Sequence, residues 1–120
     1  MKQATERRKT VRVPAQLAVQ LSGGADAGQS MTSETVNISE GGMYLRVPNP
    51  IEVLTKLETT LVLPVRNRRG QVKSEVVNCT SVVVRCDKEP RDYRIACYFL
   101  DIDKKSKELI RSFVEERSSS

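Results

Sequence analysis

Every second residue from Val11 to Leu21 is apolar: Val11, Val13, Ala15, Leu17, Val19 and Leu21. Successive side chains of an extended strand point to opposite faces. This run therefore reads as a half-buried β-strand with Arg12, Pro14, Gln16 and Gln20 outside. Pro14 has no N–H to give to a ladder, which places it at an edge or entry position. The alternation returns at Leu57, Thr59, Leu61, Leu63 and Val65. A chain written in period two over such lengths is committed to sheet, and its core must be aliphatic. It contains two Phe, three Tyr and no Trp.

The remaining segments fit the same scheme. Met31 to Ile38 and Met43 to Val47 read as two strands, and the polar turn Ser39-Glu40-Gly41-Gly42 makes them a hairpin. Ser22 to Ser30 is a small-residue loop, and Pro48-Asn49-Pro50 breaks the chain. Asn67-Arg68-Arg69-Gly70 is a turn in which Gly70 supplies a positive φ. Val72 to Cys79 and Ser81 to Cys86 are either two strands or one long bent strand with a bulge near Asn78. Tyr93 to Leu100 is the last strand.

After Asp101 the period changes. Ile102, Leu109, Ile110, Phe113 and Val114 share one helical face, with Asp101 or Asp103 as N-cap, predicting a helix over about 102–116. At 120 residues the chain suits one domain. The fold class is all-β: a barrel of six to seven antiparallel strands with one C-terminal helix covering an opening or edge. Closure is the simplest way for such a meander to remove exposed edges. The domain spans 11–117, preceded by a flexible basic arm at 1–10.

Charge is unevenly placed. Residues 1–12 hold Lys2, Arg7, Arg8, Lys9 and Arg12 against Glu6, a balance of +4. The other 108 residues hold fifteen basic and fourteen acidic side chains, leaving +1 of the net +5. A near-neutral body with one basic arm points to a local anion site and away from an extended, specific nucleic-acid face. Cys79, Cys86 and Cys97 match no zinc spacing, and there is no histidine to complete one, so they read as free thiols in a reducing cytosol. With no histidine, nucleophile–base pair or carboxylate cluster, no catalytic residue is expected. No apolar run reaches the ~18 residues of a membrane helix, and no signal peptide is visible. The expectation is a cytoplasmic protein without membrane insertion, metal or cofactor.

Two motifs carry chemistry. Arg7-Arg8-Lys9-Thr10-Val11-Arg12 repeats arginine at a four-residue interval, Arg8 to Arg12. A guanidinium is planar, always charged and fork-shaped, suited to phosphate, to the O6/N7 edge of guanine, or to stacking on a purine. Asn37-Ile38-Ser39-Glu40-Gly41-Gly42 follows. In extended geometry Asn37 and Ser39 point one way and Ile38 the other, into the core. Asn37 offers an amide oxygen to guanine N–H donors, and Gly42 permits positive φ and close backbone approach. Each motif also has a plainer reading, as a solvated basic tail and as a hairpin turn capping its own backbone.

Arg-Arg-x-x-x-Arg, then Asn-x-Ser-x-x-Gly after a strand and a loop, in a chain of strands ending in one helix, resembles the PilZ domain. PilZ domains are bacterial receptor modules for cyclic di-GMP. Tyr93 to Asp101 is similar to the family's last strand, with Ala96 where glycine is usual. The resemblance implies that Arg8 and Arg12 hold guanine and phosphate, with Arg7 as the additional arginine often found before them. It also implies that Asn37, Ser39 and Gly42 receive a guanine edge. Arg46, four residues past Gly42, stands where some members carry another phosphate-contacting arginine. The chain departs from the pattern in having Asn for Asp at position 37 and no tryptophan. The implied function is a receptor that reorders its arginine arm on binding cyclic di-GMP, as one molecule or an intercalated pair. It would then signal to a downstream protein of motility, biofilm formation or secretion. The alternative is a PilZ-like interaction module of a motility or secretion system that binds no nucleotide.

Overall fold

The computed structural model describes residues 11–23 and 30–118. Seven strands precede one helix: β1 (Arg12–Pro14), β2 (Ala18–Gly23), β3 (Ser30–Ser39), β4 (Gly42–Val47), β5 (Lys56–Arg66), β6 (Val72–Lys88), β7 (Tyr93–Asp101) and α1 (Lys104–Ser118). All strand pairs are antiparallel. The sheet runs β3-β2-β5-β6-β7-β4 and closes where β4 pairs with β3, while β1 lies against β3 beyond β2. Closure gives the ladder groups of both terminal strands of the meander a partner.

The first alternating run is two strands, not one. The ladder is interrupted at Ala15-Gln16-Leu17, and the buried Thr35 hydroxyl repairs the gap. It accepts from Leu17 N–H at 2.9 Å and donates to the Ala15 carbonyl at 2.5 Å. The alternation survives this break. Val13, Ala15, Leu17, Val19 and Leu21 are all buried, whereas Val11 is 39% exposed and falls outside the core face.

Residues 72–88 form a single strand that pairs with β5 in its first part and β7 in its second. Its irregularities against β7 fall at Thr80/Ser81 and Val83/Arg85, displaced from the bulge expected near Asn78. Gly70 has φ +83°, as its turn requires.

The core is aliphatic. Ile38, Leu45, Leu61, Leu63, Val77, Val83 and Ile95 are fully buried inside the ring. The helix adds Ile110, Phe113 and Val114 to the same cluster and packs against β1, β3 and β5. Each such side chain contributes ~1.5–3 kcal/mol on burial, which anchors the helix against the barrel. Asp103 is the N-cap: its carboxylate accepts from Ser106 N–H at 2.7 Å. That bond holds the Asp103 carboxyl below its ordinary range. Cys79 and Cys97 are buried and Cys86 is half-buried, all as free thiols. Burial, helped by nearby Cys79, pushes the Cys97 thiol up to about 12.

Candidate ligand-binding face

Strand pairing brings the two sequence motifs together. β1 lies on β3 with Arg12 opposite Ser39 and Pro14 opposite Asn37. From there the Arg12 guanidinium donates to Asn37 Oδ1 at 3.3 Å, a contact across 25 residues of sequence. Arg12 is exposed and Asn37 half-buried, so both retain groups for a ligand. Arg7 and Arg8 lie outside the described residues.

The rest of the second motif is occupied by the fold. Ile38 faces the core, but Ser39 is only 5% exposed and is drawn into the turn. Its hydroxyl accepts from Gly42 N–H at 3.2 Å and lies 3.3 Å from the Gly42 carbonyl, to which it donates. Gly42 does not have the positive φ its sequence context invites. Its requirement is steric: a Cβ there would lie 2.2 Å from the Cys97 carbonyl of β7. The close approach that glycine permits is made by a neighbouring strand.

On β4, Met43, Leu45 and Val47 are buried, while Tyr44 and Arg46 face outward, as their parity requires. Directly opposite residues of an antiparallel pair share a face. The pairings Asn37–Tyr44, Tyr44–Ala96 and Arg85–Ala96 therefore lay one outward row across β3, β4, β7 and β6. The pairings Arg46–Arg94 and Arg94–Asp87 make the next row. Ala96, small and 5% exposed, lets the long side chains on either side meet over it. The Arg85 guanidinium lies 5.4 Å from the Tyr44 ring centroid, a cation–π distance. Tyr44 donates to Asp87 Oδ2 at 2.7 Å, and Arg85 Nε donates to the same oxygen at 3.1 Å. The Tyr44 bond first, and Arg85 second, hold the Asp87 carboxyl below its ordinary range; burial and Asp87 push the Tyr44 hydroxyl up.

The sequence resemblance pointed to Arg46 and gave no role to Tyr44. It did not find Arg85, Asp87 or Arg94. Their only local signal is a charged residue at the outward parity of an apolar strand, and the bulges of β6 decide which charges meet. The Arg94 Nε is buried with no hydrogen-bond partner. A separate cleft of about 370 Å³, lined by Pro64, Arg66, Val72, Phe113, Glu116 and Arg117, shares no residue with either motif. Among the described residues no group of three His, Cys, Asp or Glu side chains could hold a metal, and no helix is long and apolar enough to cross a membrane.

A closed antiparallel barrel with a C-terminal helix and an arginine-bearing outer face defines the class of domain by its architecture. The chain matches the PilZ domain model over residues 6–116 and belongs to that family. Solved structures that share the fold include the following three. The inhibitor of motility MotI/DgrA of Bacillus subtilis superposes with a TM-score of 0.80 at 19% identity, over 94% of this chain and 52% of MotI. The chain thus spans about half of that protein. The PilZ domain of Escherichia coli YcgR, solved with cyclic di-GMP, gives 0.67 at 12% identity over 94% of this chain and 92% of that domain. The PilZ domain of CeSA from a cellulose-synthesizing bacterium gives 0.60 at 18% identity over 89% and 97%. No curated protein matches in sequence.

Proposed function

We propose that this protein is a non-enzymatic receptor for cyclic di-GMP. The observation that carries the reading is the Arg12–Asn37 contact. It unites a phosphate- and purine-binding guanidinium with an amide oxygen suited to guanine N–H donors. Arg12 is positioned by its strand, so its alignment costs little on binding. Arg7 and Arg8 complete the grip from the arm, where each residue ordered costs ~1–2 kcal/mol and must be offset by charge-assisted bonds. Asn37 gives a neutral acceptor where aspartate would give a charged one roughly twice as strong. Ser39 and Gly42 act by shaping the turn that presents Asn37.

The output we propose is a change of shape and charge at the face on which the arm settles. That change is read by a protein of a motility, biofilm or secretion apparatus. The likeness to a neighbour named as an inhibitor of motility supports such an adaptor role. Calorimetric titration with cyclic di-GMP tests the reading. Arg12→Ala is expected to weaken binding at least about tenfold, the equivalent of one charge-assisted bond. Undiminished affinity in that variant sinks the assignment.

A further inference from the structure

The hairpin that joins β5 to β6 carries a charge that the rest of the body lacks. Residues 66–73 hold Arg66, Arg68, Arg69 and Lys73 and no carboxylate. Without them, the chain from residue 13 onward has eleven basic and fourteen acidic side chains. The tip is a basic point on an acidic body, and a local field of that kind collects anions. Basic turns are commonly just solvated, and two further observations set this one apart.

First, its charges are held in place and unanswered. Asn67 Oδ1 accepts from Arg69 and Gln71 N–H, both at 2.9 Å. The Arg66 guanidinium donates to the Gly70 carbonyl at 3.1 Å and to Glu116 Oε2 at 3.3 Å, which ties the turn to α1. Arg68, Arg69 and Lys73 are exposed, and among the described residues no ion pair reaches them. The next carboxylate along β6, Glu75, is half-buried opposite Leu63 and pairs with none of them. Second, the cleft of about 370 Å³ opens beside this turn, with Pro64, Val72 and Phe113 as its apolar lining. Val72 stands directly opposite Arg66 and is 61% exposed, although apolar and β-branched.

We propose that the cleft and the turn beside it dock an acidic segment of a partner protein, with one apolar side chain in the cleft and carboxylates on Arg68 and Arg69. A guanidinium fork takes a carboxylate bidentately, and the turn's own bonds keep the cost of ordering it low. The apolar contact is concave, which suits a single inserted side chain. A membrane-surface site instead displays Trp, Phe or Leu outward, and a single-strand nucleic-acid site displays aromatic platforms. Here the cleft's one aromatic, Phe113, is 4% exposed. The cleft and turn share no residue with the Arg12–Asn37 contact, so docking does not require the nucleotide. That the docked protein also reads the nucleotide signal rests on the receptor reading above.

The test titrates a short acetylated peptide, one leucine flanked by glutamates, into the whole chain while backbone amides are followed by NMR. The amides of residues 67–73 and of Phe113 are expected to move together and saturably. Arg68→Glu combined with Arg69→Glu should weaken binding at least about tenfold, the equivalent of one charge-assisted bond. Val72→Gln should weaken it about fivefold through lost apolar contact. All three positions are exposed, so both variants are expected to fold. A peptide with serine in place of its leucine should bind more weakly by a similar factor. Equal binding of that peptide means that charge alone attracts it and overturns the docking site. An absent response at millimolar peptide, or one unchanged by the double charge reversal, overturns it as well. Tighter binding of phosphatidylserine vesicles or of a single-stranded oligonucleotide, lost in the same variants, gives the surface to that partner instead. A dimer in sedimentation that Val72→Gln dissolves gives it to a second copy, and each of these results overturns the proposal. If the chain binds the peptide but no cyclic di-GMP, the receptor reading falls and the docking site stands.

Discussion

Two turns of this barrel look alike in sequence and are built on different principles. Asn67-Arg68-Arg69-Gly70 closes itself. The Asn67 side-chain oxygen accepts from Arg69 and Gln71 N–H, both at 2.9 Å, and Gly70 N–H donates to the Asn67 carbonyl at 3.0 Å. Gly70 takes a positive φ, and a Cβ there would meet nothing within 4 Å. Ser39-Glu40-Gly41-Gly42 is fastened to the body instead. Gly41 accepts from Phe99 N–H of β7 at 3.0 Å, and Gly42 lies against the Cys97 carbonyl. In the first turn glycine answers to its own backbone. In the second it answers to a strand more than fifty residues away.

This contrast orders the expected effects of substitution. Gly42→Ala is the most damaging, because Cys97 can yield only by breaking the β4–β7 ladder. A loss of about 3 kcal/mol is expected in urea unfolding. A loss under half of that would mean that β7 yields freely and that the second turn is as autonomous as the first. Gly70→Ala comes next, at about 1–2 kcal/mol for a β-carbon in left-handed backbone, with β7 amide shifts unchanged. Ser39→Ala removes both side-chain bonds to Gly42 and should cost about 1–2 kcal/mol. Its cyclic di-GMP affinity should fall less than that of Arg12→Ala; an equal fall would make Ser39 a direct ligand residue. Gly41→Ala is the smallest: with no positive φ and open space for its Cβ, it should stay within about 0.5 kcal/mol of wild type by thermal unfolding.

The same difference governs what could be read from sequence. The Asn67 turn was legible because every bond it makes lies within five residues. The alternating strands and the helix were legible because period and capping are local. The break at Ala15-Gln16-Leu17 was not, since its cause is a threonine eighteen residues ahead of Leu17 that substitutes for ladder bonds. At the candidate site, Arg12 and Asn37 could be paired because both belong to recognisable motifs. Arg85, Asp87 and Arg94 could not. Their meeting with Tyr44 and Arg46 depends on the register of β6 on β7, which shifts twice within a few residues. A one-residue error in such a register turns every side chain to the other face.

The contact of Gly42 with β7 has a consequence for how the molecule is made. Pairings that join distant parts of a chain form late, because their loop-closure entropy is lost before any contact rewards it. The Arg12–Asn37 contact needs only the first forty residues of the chain. The rows beyond it need β4 to find β7, the pairing within the ring that spans the most sequence. A chain still emerging, or one opened along this seam, would carry the Arg12–Asn37 contact and none of the outward rows beyond it. The outward rows of β4, β7 and β6 would thus come to lie side by side only in the finished barrel.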